Sequence, residues 1–597
     1  MIRTKEISQT LELLSFLTAK RKLQLVLMLL IMILGSLAEV ASIGLVIPFL
    51  GALTSPEIIF NNHLLLPIIQ FLKINSPVQL LLPFTAMFIC AVIFSAIIRL
   101  LLLYSTIRFS NAVGHDLGVD VYRKTLFQNY SVQANQNSSE IINGIILKVN
   151  TITGGVIKPL LNILSSLVLM IGIIIALLII DISTSLTALI GFGLIYFLVI
   201  KITHRKIRRN SEIIAQYSTK LIKSLQEGLG GIRDILIDGT QNFFSNIYKK
   251  SDSLLRKATG DNTFIAASPR YLLEALGMVL IATLAYSLRT YSTNFNLVIP
   301  TLGALALGAQ RLLPTMQLLY DSYTNLKGAQ ASLNDVLILL RQRLPVYAQN
   351  QSKEKFNFKN NIELKNVNFK YSDESPLVLE NININIKKGS RVGFVGETGS
   401  GKSTLLDIFM GLIHPTSGKL LVDDKSIGED NQYAWWKNIA HVPQSIFLSD
   451  NTIEQNIAFG INKIDIDSDK IIHSAALAQI HEFIIDMPNG YNTIVGERGV
   501  RLSGGQRQRI GIARALYKGA DVLMFDEATS SLDNSTENNV MEAIETLNRD
   551  LTVFIIAHRL TTLKSCDVIY EIVKGKIARS LSYEQLLNNT KSLNLKK

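Results

Sequence analysis

Cysteine is nearly absent: two residues in 597, Cys90 and Cys566, lying in what read as different domains. They do not form a structural disulfide, and no Cys/His spacing suits a metal. A disulfide scaffold and a zinc module are thus excluded. A cleavable leader is not expected either. The first apolar run starts near Leu23, is too long for a signal-peptide core and lacks a convincing cleavage site. Acidic residues are in the minority, 47 against 59 Lys plus Arg, for a formal charge of +12. That surplus suits either nucleic acid or a membrane surface. Here the basic residues flank apolar runs, which favours the membrane, and no nucleic-acid partner is expected. Long apolar runs are missing from the second half of the chain, which reads as a soluble α/β domain.

The first half is rich in them. Six runs, at 23–50, 79–107, 157–180, 182–201, 266–288 and 297–320, are each near or above the roughly 20 residues that cross a bilayer as helix. Asp181-Ile182-Ser183-Thr184 is the polar break in the third and fourth. Lys20, Arg21 and Lys22 precede the first run, and Lys201, Arg205, Lys206, Arg208 and Arg209 follow the fourth. The loop 51–78 has only Lys73 as a cation. The positive-inside rule then puts the N-terminus and the connections 108–156 and 202–265 in the cytoplasm. These connections read as helical extensions of the spans, turned at Tyr130–Asn137 and at Gly228–Gly231, where a cytoplasmic domain can be touched. The stretch Ile58–Leu72 reads either as a short helix in the outer interface or as a loop packed on its neighbours.

Ionisable residues inside spans are costly. Arg99, Arg270 and Arg311 form a set suited to a phosphate or pyrophosphate group, because the planar guanidinium pairs with anionic oxygens. The alternative is structural: Arg270 snorkels to the interface, and Arg99 and Arg311 pair with Glu39 or Glu274.

The second half is organised around Gly396-Glu397-Thr398-Gly399-Ser400-Gly401-Lys402-Ser403, with Thr404 next. This is G-x-x-x-x-G-K-S between a short apolar strand, Arg391–Val395, and a helix. Its backbone N–H groups form a nest for phosphate oxygens at a helix N-terminus. Lys402 is expected on the β- and γ-phosphates and Ser403 on Mg²⁺. Tyr371 lies upstream, where an aromatic can stack on adenine. Gln444 follows a predicted strand. Ser503, Gly504, Gly505 and Gln506 open a basic helix as a second anion nest. Val522–Phe525 is an apolar strand ending in Asp526, suited to Mg²⁺, and Glu527, suited to polarise water as general base. Asp533 follows, and His558 ends another apolar strand where it can bond a γ-phosphate.

In this order and spacing, these motifs resemble the ABC transporters over about residues 361–580. The resemblance implies a helical polytopic membrane domain (1–325), a linker (326–358) and a P-loop ATPase domain (359–597), the layout of a half-size exporter. It implies ATP and Mg²⁺ as cofactors, with Gln444 beside the metal and in the catalytic set with Glu527 and His558. It also implies a homodimer in which each ATP lies between the phosphate loop of one copy and Ser503–Gln506 of the other, with Asp533 among the ATP-binding residues. Thr493–Gly499 looks like the exporter segment that addresses the membrane half. Ser268–Glu274 and Arg311–Pro314 look like parts of bacterial lipid-linked oligosaccharide flippases. The implied function is ATP-driven movement of a lipid-linked glycan or glycolipid across a bacterial inner membrane among membrane lipids. The alternative is export of peptides or hydrophobic small molecules. A non-transporting regulator predicts a degraded catalytic set, whereas Glu527 and His558 are both present. Six spans exclude a soluble DNA-repair or translation ATPase.

Overall fold

The computed structural model describes residues 2–54, 56–60, 76–180, 182–291, 295–349, 354–528, 532–546, 550–557 and 559–594. Asp181, most of the proposed outer helix (61–72), Ser530, Ser531 and His558 lie outside them. The chain forms two compact units. One holds 1–126 and 136–343, and the other holds 127–135 and 344–597.

The first unit is helical. Among the described residues, Ala19–Thr54, Pro77–Leu126 and Ser138–Ile179 are long and apolar enough to cross a membrane. In hydrocarbon a backbone must satisfy its own polar groups, and a helix does so within one segment. The remaining apolar runs lie in helices Ile182–Gly230, Pro269–Tyr291 and Phe295–Gly328. The first run is jointed, with Ala19–Gly44 ending at Leu45 and Val46–Thr54 following. Leu81–Leu126 has 46 residues and Ile182–Gly230 has 49. At about 1.5 Å per residue each is over twice the ~30 Å hydrocarbon thickness. Both therefore project well beyond a bilayer, as the polar second half of each sequence requires. The projections turn where the sequence breaks, into the short helices Tyr130–Asn135 and Ile232–Ile237. A core of Leu13, Phe109, Val113, Ile152, Leu333 and Val336 packs the projecting end of Leu81–Leu126 against its neighbours. Helix Gln330–Leu340, from the stretch read as linker, belongs to this core.

The second unit is α/β. Strands β1 (Asn361–Phe369), β2 (Leu379–Lys387), β4 (Ser417–Val422) and β5 (Lys425–Ser426) form an antiparallel sheet in the order β2-β1-β4-β5. β3 (Arg391–Val395), β6 (Ile439–Val442), β7 (Val522–Asp526), β8 (Thr552–Ile556), β9 (Val568–Val573) and β10 (Lys576–Leu581) form the second, ordered β10-β9-β3-β8-β7-β6. Its central strands are parallel, and β8 is buried at every position. Near-continuous apolar runs suit strands covered on both faces. Between the sheets sit Phe394, Phe409, Phe554 and Trp435, all essentially solvent-free. In such parallel sheets ligands bind beyond the carboxyl ends of the strands. β3, β7 and β8 end there on the phosphate loop, on Asp526-Glu527 and just before His558.

Phe127–Asn135 groups with this unit although its flanking helices do not. The Tyr347 hydroxyl donates to the carbonyls of Phe127 (2.6 Å) and Gln128 (3.3 Å), and Asn129 Nδ2 donates to Glu429 (3.4 Å).

Candidate functional site

The loop after β3 is built for a phosphate chain. Gly396 has φ 153° and a Cβ there would lie 2.2 Å from the Ile572 carbonyl, while Gly401 has φ 102°. Neither place admits a side chain, so successive N–H groups can turn into one concavity. Lys402 opens helix Lys402–Phe409. Its Nζ donates to the carbonyls of Gly396 and Glu397, each at 2.9 Å, which holds the ammonium over the loop. Lys402 is 7% exposed, and the Ser400 hydroxyl is buried without a hydrogen-bond partner. A buried ammonium spanning only carbonyls and an orphaned hydroxyl fit an absent polyanion. Gly399 (φ 82°), Glu397 and Thr398 complete the loop.

Of the three residues read at the metal, Ser403 and Asp526 meet, while Gln444 bonds Glu527. Ser403 Oγ donates to Asp526 Oδ1 at 3.4 Å. Hard oxygens at the mouth of a phosphate loop suit Mg²⁺, so the residues fit that ion. Burial raises the Asp526 carboxyl, an effect opposed by the Ser403 hydrogen bond. Glu527 follows with φ 51°, its N–H donating to the Ile556 carbonyl at 3.0 Å. This left-handed residue turns the chain off the strand end. Gln444 Nε2 donates to Glu527 Oε2 at 2.7 Å, joining two residues 83 positions apart. Tyr371 is 62% exposed. Its ring stands edge-on to Phe369, and its hydroxyl is 2.9 Å from Thr404 Oγ1. Its free face can stack on a base.

Ser503 caps helix Gly504–Lys518 reciprocally with Gln506: the Gln506 N–H donates to Ser503 Oγ (3.2 Å), and the Ser503 N–H to Gln506 Oε1 (2.8 Å). That leaves the Gly504 and Gly505 amides at a helix start. Among the described residues, no hydrogen bond joins Ser503–Gln506 to Gly396–Thr404. Asp533 accepts from the Ser535 hydroxyl and from the Thr536 N–H (3.0 Å), which hold its carboxyl well below the usual carboxylate range.

In the first unit the arginines divide. Glu39, 1% exposed, receives Arg311 at 2.9 Å, Arg99 at 3.6 Å and the Ser95 hydroxyl. Arg270 instead pairs with Glu274 at 2.7 Å, one turn along its own helix. Each of the three thus has a carboxylate partner. Arg99 and Arg311 share theirs, which leaves that cluster one positive charge in excess.

Two contributors went unrecognised. Asp407 lies on the phosphate-loop helix, and burial and the nearby Asp526 push its carboxyl up to about 6. Its place one turn beyond Ser403 was the signal. Arg514, on the basic helix that Ser503 opens, donates to the carbonyls of Phe447 (2.9 Å) and Asn456 (2.8 Å), tying down the loop after Gln444.

A nucleotide-binding α/β unit joined to a helical membrane unit defines an ATPase that works on a membrane. Two family models match: the ABC transporter transmembrane region over residues 42–288 and ABC transporter over 379–530. A Bacillus subtilis (strain 168) protein named for multidrug export, the ATP-binding/permease protein YgaD, is 31% identical over 76% of this chain and 78% of its own length. An ATP-dependent lipid A-core flippase of Francisella novicida is 28% identical over 78% of this chain and 79% of its own. A bacterial Atm1-family ABC exporter solved with ATP bound shares the fold, with TM-score 0.76 and 21% identity over 96% of this chain and 97% of that one. The chain belongs to the ABC transporter family. It is a half-size exporter, a multi-pass membrane protein that binds ATP and couples its hydrolysis to transport.

Proposed function

We propose that two copies of this chain form a bacterial inner-membrane flippase for a lipid-linked oligosaccharide or glycolipid, with the N-terminus and ATPase unit in the cytoplasm. Each nucleotide is held by Gly396–Thr404 and Tyr371 of one copy and by Ser503–Gln506 and Asp533 of the other. One chain supplies half of each site, in keeping with the lack of any bond between those two groups among its described residues. Ser403 and Asp526, with Gln444, would hold Mg²⁺, which when bound offsets phosphate charge. Glu527 takes a proton from the attacking water, and Gln444 holds its carboxylate in place. His558 bonds the γ-phosphate. ATP drives the membrane half by binding the closed dimer better than the open one.

The substrate reading rests on the Glu39 cluster, where two guanidiniums share one carboxylate. Excess positive charge in a span suits a phosphorylated lipid headgroup, with Arg270 reinforcing it at the entrance. A relative named as a lipid A-core flippase supports a lipid of this kind. The second reading, export of peptides or hydrophobic small molecules, is favoured by the relative named for multidrug export.

The test is ATPase stimulation of the protein in vesicles by polyprenyl-pyrophosphate sugars, peptides and drugs. Stimulation by the pyrophosphate lipids alone is expected. Arg99→Ala, Arg270→Ala and Arg311→Ala together should impair lipid movement more than ATPase activity. Equal transport by the triple variant rejects the anion cavity, and stimulation by peptides or drugs alone establishes the second reading.

A further inference from the structure

A groove of about 570 Å³ runs between the first two span helices, apart from the Glu39 cluster. One end carries Arg21, Arg108 and Asn111, and its body is walled by Leu27, Ile31 and Tyr104. The two arginines are not equivalent. Arg21 is committed to Asp116 through two hydrogen bonds, at 2.8 and 3.3 Å, which hold that carboxyl below its usual range. Arg108 has no carboxylate partner among the described residues. Its guanidinium lies 5.4 Å from the centre of the Tyr104 ring, and its Nε donates to the Tyr104 hydroxyl at 3.2 Å. Around it the surface is apolar, with Leu27 52%, Tyr104 59% and Ile107 42% exposed. Arg108 also follows directly on the apolar run 79–107, at the level where hydrocarbon gives way to headgroups. At that level a guanidinium attracts anionic headgroups.

We propose that this groove holds one anionic phospholipid of the leaflet on the cation-rich side, its phosphate on Arg108 and an acyl chain along Leu27 and Ile31. The aromatic platform fixes the fork of the guanidinium, and Asn111 adds a donor beside it. The apolar wall selects a lipid over free phosphate, which gains nothing from Leu27 or Ile31. Lys20 and Lys22 precede the same end, so the local charge favours an anionic headgroup over a zwitterionic one. Naming the leaflet rests on the topology in the proposed function; the groove itself does not.

The test uses full-length protein stripped of lipid in detergent. Native mass spectrometry follows its titration with dioleoylphosphatidylglycerol, dioleoylphosphatidylcholine and inorganic phosphate. The phosphatidylglycerol adduct should form about fivefold more tightly than the phosphatidylcholine one, as one interfacial arginine allows. Arg108→Gln should bring the two lipids close to parity, while Lys20→Gln, which removes only a neighbouring charge, should lower the preference less. Leu27→Ala, at an exposed position where truncation leaves no internal cavity, should weaken both lipids. An unchanged preference in Arg108→Gln, or an equal loss in Lys20→Gln, overturns the site. Displacement of the lipid by inorganic phosphate overturns the lipid as occupant. A disulfide between two Arg108→Cys copies would show a second copy covering the groove, and also overturns it. ATPase activity of the same variants keeps this outcome separate from the reading of the nucleotide site.

Discussion

The two halves of this chain use the same side chains against different solvents. The span helices turn leucines outward, Leu23 at 63% and Leu100 at 66% exposure, whereas Phe554 in β8 is fully buried. In water, hiding apolar surface drives folding, at roughly 25 cal/mol per Å². In lipid that drive vanishes between helices, so close approach and isolated polar contacts must specify the packing. Gly35 admits Ile98, a Cβ there meeting it at 3.3 Å, and the Ser36 hydroxyl donates to the Val168 carbonyl at 3.1 Å. The ATPase half is held by mass, the membrane half by fit.

The largest effect expected lies outside both kinds of packing. Glu527→Gln should lower phosphate release by about 10²–10⁴-fold while nucleotide binding persists. Unchanged release would refute Glu527 as the base. Next, Phe554→Ala should destabilise the ATPase unit by about 3–5 kcal/mol in denaturant unfolding. Leu100→Ala, in lipid, should shift unfolding by under ~0.5 kcal/mol, in the range of surface substitutions. Equal effects would erase the contrast between the halves.

A third lever acts on the water-facing half alone. His441, on β6, has Nε2 buried without a hydrogen-bond partner, and burial lowers its pKa to about 4. The folded state thus keeps this ring neutral while an unfolded histidine, near pKa 6.5, takes a proton. Stability is whole above about pH 6.5 and falls as pH drops toward 4, by up to ~3 kcal/mol. His441→Asn should flatten that part of the unfolding profile; an unaltered profile would exclude His441 as its source. Smaller again, Glu39→Gln should cost about 2–3 kcal/mol in thermal unfolding. That is less than a fully buried pair, because the Arg99 side chain is 45% exposed. Loss of stability with no loss of transport would make the cluster purely structural.

What was legible in the sequence was what is local in it. Phosphate binding needs one loop between one strand and one helix, so Gly396–Ser403 declared itself within eight residues. Asp526 and Glu527 were readable because an apolar strand ends on them. The pairing of Arg99 and Arg311 on Glu39 was open, since three residues on three helices meet only through helix rotation, which periodicity leaves free. The contact of Gln444 with Glu527 likewise depends on β6 lying beside β7, a topological fact. The membrane half showed its segments clearly and its internal contacts hardly at all, because lipid tolerates many registers of a leucine-rich face.

The nine residues Phe127–Asn135 carry a practical corollary. They belong to the ATPase body although in sequence they interrupt the other half, so no single cut frees that body intact. Residues 344–597 made alone would leave the Tyr347 hydroxyl without its two carbonyl acceptors and bare the surface it shares with Trp436, 5.1 Å away ring to ring. Such a fragment is a protein with a missing tooth, and returning the nine-residue peptide in trans is the natural way to fill the gap.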